Sequence, residues 1–570
     1  MAKRKLTSSE VLQAILDNNS DHDFSSTEED FSDNDDQQRA LHDTVNDDAS
    51  DDSDEWVYPQ HLNWTAARGE LPFLYPFEAT CGFTVDVNNY TAKQFYELFV
   101  SPDLIRHFVH QTNLYAAQFI EKNPNLPPHS RVHAWVDTDE NEMKKFIGIL
   151  MLMGIIRKPD IEMYWSTDPM YATPIFVTIM KRNRFSLLLK FFHLNDNSNE
   201  PDKKDPNRDR LFKLRPLIDH LFETFQLPYV PGPSVAVDES LLLWKGRLQF
   251  RQYLPLKKAR FGIKMFCLAE NSGYIYRFRV YTGKEDPMSS ISAVLPDECK
   301  DFGLSEKIVV YLALPLLDNG YTIWMDNWYS SCRLFHYLHH RKTTACGTIR
   351  SNRVPPEVRN SAPAPGQHIA YRSGPLCLKF RDKKDVHMLT TQHNESVQEA
   401  PRRRGRPSPT NVRYKPQCII EYNSNMGAVD KQDQVLEPYS AARKTMKWYK
   451  KLSVHLLQMA MLNAHILYQK NGGTKTFLQF EHDVIADFIF SGEEQHAERV
   501  EAVVRLTERH FPDKLEPTTT WTKPQARCRV CSKKGQRRDV KTFCSKCPSN
   551  PGLCAVPCFG LWHSKLKYWE

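Results

Sequence analysis

Four aspartates stand where a charge is expensive. Asp238 lies in Ser234-Val235-Ala236-Val237-Asp238-Glu239-Ser240, Asp326 in Tyr321-Thr322-Ile323-Trp324-Met325-Asp326-Asn327-Trp328, and Asp430 and Asp433 in Met426-Gly427-Ala428-Val429-Asp430-Lys431-Gln432-Asp433. A carboxylate in or at the end of a β-branched, apolar run is costly to bury without a partner. Several converging on one place suit a hard divalent cation, which takes oxygen ligands. A cap or turn role would explain any one of them, but it explains all four poorly, because their surroundings read as one fold. A second set carries softer donors. Cys528-x2-Cys531, Cys544-x2-Cys547, Cys554, Cys558 and His563 are seven ligands at zinc-finger spacing. Two tetrahedral Zn²⁺ sites need eight, and upstream His510 is the candidate for the last, its alternative being a surface residue. Six of the 13 cysteines crowd between Cys528 and Cys558 while seven are scattered. In a reducing compartment that clustering reads as metal binding rather than disulfides.

The elements that must position the aspartates follow from periodicity. Val235–Leu243, Phe261–Ala269 and Tyr274–Tyr281 read as strands, with a turn at Asn271-Ser272-Gly273. An amphipathic helix at about Ser305–Leu317 stops at Asn319-Gly320, followed by strand Tyr321–Met325, helix Ser331–His340 and strand Thr344–Ile349. The order β-β-β-α-β-α-β is that of an RNase-H-like fold, in which the first strand carries a metal-binding Asp and the fourth ends near another. Asp430 and Asp433, three apart, share one face of a helix beginning near Gly427. Glu239 should point to the face opposite Asp238, in a structural role. Residues 91–230 read as helical scaffold, with Met143–Ile156 and Phe185–Phe192 as apolar helices, and 436–495 return to helical character. The Pro-rich, basic stretch 351–414 reads as an insertion.

At 570 residues the chain calls for three or four domains. Its net charge of +6 hides an asymmetry: residues 1–55 hold 17 Asp/Glu against 4 Lys/Arg, leaving a basic body behind an acidic tail. That pattern suits a polyanion-binding protein. The tail is expected to be disordered, and Ser26, Ser32, Ser50 and Ser53, just upstream of acidic residues, are candidates for acidophilic kinases. Mass spectrometry of the tail from cells, finding those serines unmodified, would refute this. The longest apolar run, Phe146–Ile156, is too short for a bilayer, which needs ~20 residues, and no signal peptide is evident, so a soluble intracellular protein is expected, without a membrane partner.

The chain resembles piggyBac-family DNA transposases. The resemblance rests on Met151-Leu152-Met153-Gly154-Ile155-Ile156-Arg157-Lys158, Tyr164-Trp165-Ser166-Thr167, Val237-Asp238-Glu239-Ser240, Met325-Asp326-Asn327-Trp328-Tyr329-Ser330-Ser331, Cys346-Gly347-Thr348-Ile349-Arg350, Asn425 to Gln434 and the terminal Cys/His cluster, and covers about residues 75–570. It implies a multidomain α+β protein: an RNase-H-like catalytic core with an insertion domain, a split helical dimerisation and DNA-binding domain, and a C-terminal cross-brace zinc domain. The expected layout is an acidic tail 1–55, helical region 56–232, core 233–350, insertion 351–414, core 415–435, second helical region 436–512 and zinc domain 526–570. By the resemblance, Asp238, Asp326 and Asp430 are the catalytic triad, holding two Mg²⁺ (or Mn²⁺), with Asp433 the additional acidic residue. In the cross-brace, Cys528, Cys531, Cys554 and Cys558 hold one zinc, and Cys544, Cys547 and His563 the other with the eighth ligand. The implied activity is nicking of transposon ends, excision through hairpins and joining into TTAA sites, by a homodimer on double-stranded DNA.

Basic motifs add candidate DNA contacts. Arg402-Arg403-Arg404-Gly405-Arg406-Pro407 resembles an AT-hook, whose Arg404 and Arg406 would enter a narrow minor groove; it reads equally as a nuclear localisation signal, and either places the protein in the nucleus. Arg443, Lys444, Lys447, Lys450 and Lys451, with Trp448 and Tyr449 between them, suit phosphate contacts, the competing view being core burial of the two aromatics. Lys533, Lys534, Arg537, Arg538 and Lys541 among the zinc ligands also suit phosphate contacts, where the alternative is a solvated face. Two rival functions are a domesticated DNA-binding protein without excision activity and a RING-like ubiquitin ligase. Retention of all four aspartates weighs against the first, the core pattern against the second.

Overall fold

The computed structural model describes residues 63–569, apart from 203, 206, 255–259, 284–290, 401–412, 443–445, 491–504, 507–508, 516–523, 548 and 566. The chain forms two compact units, residues 1–89 with 195–471 and residues 90–194 with 472–570. Among the described residues no helix is long and apolar enough to cross a membrane.

The first unit is built on a ten-stranded mixed sheet. Strands β1 (Ser234–Leu243), β2 (Phe261–Glu270) and β3 (Ile275–Val280) run antiparallel in sequence order. Helix α1 (Leu304–Ala313) leads into β4 (Thr322–Met325), parallel to β1, and α2 (Cys332–His340) into β5 (Thr344–Thr348), parallel to β4. The β-β-β-α-β-α-β order expected from periodicity is thus the observed one. β2 is buried from Gly262 to Glu270, which explains its near-continuous apolar run: a central strand covered on both faces has no side for polar alternation.

The insertion extends this sheet rather than forming a loop excursion. β6 (His368–Arg372), β7 (Leu376–Arg381) and β8 (Asp385–Thr390) add antiparallel strands beyond β5, giving the order β6-β7-β8-β5-β4-β1-β2 with β3 also on β2. Helices α3 (Gln417–Asn425) and α4 (Ala428–Leu436) follow and pack on the sheet, α4 against β1 and β2. The next helix, α5 (Trp448–Lys470), belongs to this unit. Its Asn463 accepts from the Ile275 N–H and donates to the Ile275 C=O, each at 2.9 Å, so a side chain satisfies backbone that the outer strand β3 would leave unpaired.

In the second unit four helix starts are written in the sequence. Thr91 closes a capping box on helix Ala92–Glu97, Ser101 caps Pro102–Lys122, Asp139 caps Glu140–Ile155 and Thr476 boxes Phe477–Ile489. The last of these packs against Glu140–Ile155 and Ala92–Glu97. Gly148 permits that approach, since a Cβ there would stand 2.9 Å from Ile489 Cγ1. The same unit ends in a small domain with its own core of buried cysteines, Val530, Leu553, Trp562 and Tyr568.

Candidate active site and metal centres

The parallel register of β1 and β4 pairs Val237 with Met325, so the next residue of each chain is an aspartate. Asp238 continues β1, opposite Cys267 of β2; Asp326 begins the turn after β4. Both are half-buried. Asp238 Oδ1 accepts the Glu239 N–H at 2.9 Å, and Asp326 Oδ1 accepts the Trp328 N–H at 2.9 Å. Burial, then the charge of Glu239, push the Asp326 carboxyl up to about 6, against the pull of the Trp328 and Tyr329 amides and of Lys264. Glu239 does alternate away from Asp238, on the face it shares with Phe266. Its influence nonetheless reaches Asp326, and its Oε2 accepts the Tyr329 hydroxyl at 3.4 Å.

Helix α4 starts at Gly427 and delivers the other two carboxylates. Asp433 is half-buried and accepts the Ser240 hydroxyl at 2.7 Å. Ser240 sits two residues beyond Asp238, on its face of β1. Burial and then the charges of Asp433 and Asp238 hold the Cys267 thiol well above its usual range. Burial also raises the Tyr422 phenol of α3, with Asp326 and Asp238 adding to it. Asp430, in the first turn of α4, is exposed. The structure thus ties Asp433, expected as auxiliary, into β1.

The carboxylates do not form a closed cage. Among the described residues, the sets of three or more His, Cys, Asp or Glu with all ligand atoms within 4.8 Å are two, both C-terminal. The donor set still fits hard divalent cations: it is all-oxygen and partly desolvated, and Asp326 is pushed toward protonation by burial and then by the charge of Glu239.

Cys528, Cys531, Cys554 and Cys558 form one closed set, and His510, Cys544, Cys547 and His563 the other. Cys531 Sγ lies 3.8 Å from Cys554 Sγ and 3.6 Å from Cys558 Sγ, matching the ~3.8 Å edge of a tetrahedron with Zn–S bonds of about 2.3 Å. In the second set His510 Nδ1 lies 3.2 Å from Cys544 Sγ, and His563 Nε2 3.5 Å from Cys547 Sγ. His563 Nδ1 bonds the Phe559 carbonyl at 2.8 Å, leaving Nε2 as the ligand nitrogen. The pairs interleave along the chain, as a cross-brace requires. All 13 cysteines are free of disulfides.

His510 arrives through a strand that composition did not announce. Pro512–Lys514 pairs antiparallel with Thr542–Cys544, setting Pro512 opposite Cys544. Upstream, buried Arg505 donates to the Trp562 and Lys565 carbonyls and lies 5.0 Å over the Trp562 and Tyr568 rings. The zinc domain therefore reaches back at least to Arg505, beyond the 526 boundary expected from cysteine spacing.

The basic candidates divide. Lys533, Lys534, Arg537, Arg538 and Lys541 are exposed, as is Lys447. Lys450 and Lys451 are buried, at 6% and 7% exposure, a correction to the expected solvent-facing strip: they lie on the first turn of α5, which packs into the core unit. Trp448 packs edge-on against Phe250, and Trp324 is buried with its indole N–H on Ser234. Arg404, Arg406, Arg443, Lys444 and the acidic tail fall outside the described residues.

A family model described as Transposase IS4 matches residues 91–465. The chain belongs to that family. A DDE_Tnp_1-like zinc finger model matches residues 518–564. Human PiggyBac transposable element-derived protein 2 is 26% identical over 386 residues, 66% of this chain and 61% of that protein. Human PiggyBac transposable element-derived protein 3 is 25% identical over 412 residues, 70% of this chain and 65% of that protein. The chain thus spans under two thirds of these relatives. Among solved structures, a piggyBac transposase synaptic complex with hairpin DNA superposes with a TM-score of 0.61 at 22% identity, covering 84% of this chain and 98% of that one. Both human relatives and the solved complex carry the piggyBac name, and the chain shares the fold of that complex.

Proposed function

We propose that this chain is a cut-and-paste DNA transposase that nicks transposon ends, excises through hairpin intermediates and integrates at TTAA. The carrying observation is the β1/β4 register, which puts Asp238 and Asp326 at neighbouring strand ends, with α4 tied to β1 through Asp433 and Ser240. Bound Mg²⁺ or Mn²⁺, two ions in this reading, would supply Lewis-acid activation of the attacking oxygen and stabilisation of the leaving 3′-oxygen. Asp238, Asp326 and Asp430 would hold them. Asp433 is engaged by Ser240 and braces α4 on β1, which suits a supporting role beside the other three. In the nicking step a water oxygen bonds to phosphorus as the P–O3′ bond breaks, and the leaving oxygen takes a proton; in joining, the freed 3′-hydroxyl takes the place of water.

The two C-terminal sets would hold structural Zn²⁺, and the exposed Lys533, Lys534, Arg537 and Arg538 would meet end-DNA phosphates, which makes affinity fall steeply with salt. A homodimer and a nuclear location complete the reading, checked by light scattering and by imaging of the tagged chain. Sequencing the junctions made by the purified protein on end-bearing DNA tests the function: TTAA at the insertions supports it, and no joined product refutes it. That last outcome would favour the domesticated, DNA-binding alternative, which the names of the human relatives keep in view.

A further inference from the structure

Behind Asp326, on the face of β1 and β2 opposite Asp238, lies a buried cation that the catalytic reading does not use. Lys264 is 4% exposed. The antiparallel register pairs it with Leu241 and pairs Phe266 with Glu239, so Lys264 and Glu239 are diagonal neighbours on one face. The Lys264 ammonium stands 4.8 Å from the centroids of both Phe266 and Trp328, whose rings are stacked 5.6 Å apart at 10°. Trp328 is the residue whose amide holds Asp326 Oδ1. Tyr329, edge-on to Trp328 at 4.8 Å, donates its hydroxyl to Glu239. The charges of Lys264 and Glu239 act on Asp326 in opposite senses. A buried ammonium is costly unless something compensates it. Two aromatic faces and a nearby pair of carboxylates do so here, and they give the lysine a purchase on the turn that carries Asp326.

We propose that Lys264 is a positioning residue of the carboxylate site: it clamps the Trp328 ring, whose backbone N–H orients Asp326, and offsets the Glu239 and Asp326 charges so that the site stays assembled between rounds of cation binding. The inference rests on the metal-holding role proposed for Asp238 and Asp326. Lys264 does not touch the reacting atoms. Its removal should act through the affinity for divalent ions, as outer partners of metal ligands do, by about 10-fold or more.

The test is Mn²⁺ titration of the full zinc-loaded chain, followed by electron paramagnetic resonance of free Mn²⁺. Wild type should bind Mn²⁺ in a manner lost in Asp238→Ala. Lys264→Met, which keeps the packed stem, should weaken that binding about tenfold, and Lys264→Arg, which keeps charge and ring contact, should largely restore it. Equal Mn²⁺ affinity in Lys264→Met and wild type overturns the proposal, as does equal weakness in the Met and Arg variants, which would mark a packing role alone. If Lys264→Met loses the wild-type circular dichroism, Trp328→Leu carries the same test, with weakened binding expected and unchanged binding contradicting it. Wild type binding no Mn²⁺ sensitive to Asp238→Ala would instead overturn the metal-site reading itself.

Discussion

The C-terminal cysteine and histidine sets and the aspartates of the sheet gather their candidate metal ligands in opposite ways. The Cys/His sets are closed, with every ligand atom within 4.8 Å of the others, and their ligands come from about 50 residues of chain. The aspartates come from β1, the turn after β4 and α4, remain open, and are braced separately by Trp328, Glu239 and Ser240. The difference matches two uses. A closed tetrahedral site has no vacant position and serves folding, whereas a site that must admit DNA, water and exchangeable ions cannot be closed in advance. The thiolates and imidazoles suit the first use and the hard oxygens the second.

The largest effect should come from breaking a closed set. Cys531→Ser should cut the zinc content measured by plasma emission from about two ions to one and unfold the C-terminal domain, since structural zinc contributes on the order of 10 kcal/mol to such folds. Normal zinc content would contradict the cross-brace. Next, Asp326→Ala or Asp430→Ala should lower end cleavage about 10³-fold, the several kcal/mol that metal-ion charge stabilisation supplies, while leaving zinc content unchanged. The same loss of zinc in these variants would break the separation between the regions.

A pH titration sharpens the contrast further. The Asp326 carboxyl, raised to about 6 by burial and Glu239, must lose its proton to take a cation. Mn²⁺ affinity should therefore be full above pH 6 and fall about tenfold per unit below it, a proton competing for one site. The sign for stability is the reverse: metal-free Asp326 binds its proton more tightly folded than unfolded, so that contribution weakens as pH rises from about 4 to 6. A flat affinity between pH 5 and 7, measured calorimetrically, would sink this assignment. The smallest effect should follow Ser240→Ala, which removes one hydrogen bond to a charged group, on the order of 2 kcal/mol. Cleavage should drop about 10- to 30-fold, and a variant as active as wild type would show that Asp433 needs no anchor on β1.

Much of the core was legible because local chemistry and global position coincide there. The β-branched run around Asp238 is a central strand, Asn319-Gly320 ends the segment after α1, and Gly427 opens α4. His510 was harder to assign, because 17 residues separate it from Cys528 and the Pro512–Lys514 pairing returns it to Cys544. Ser240 could have been found from its two-residue offset from Asp238. Glu239 and Lys264 could not, because alternation tells which face a side chain takes but not how far its charge reaches around a strand end. Lys450 and Lys451 misled for a related reason: lysine stems and interleaved aromatics pattern alike whether they face phosphate or a packed core. The strands of the insertion were hidden by its Pro-rich flanks, although Leu376–Phe380 carries an apolar run suited to extending a sheet.

If Asp238 holds the cations that cut DNA independently of the zinc domain, the contrast is read in Mn²⁺-dependent nicking of a transposon-end duplex by purified wild type and Asp238→Ala, with zinc counted in both. Wild type should nick, the variant should not exceed background, and each should carry about two zinc ions. Nicking that survives Asp238→Ala would contradict that role.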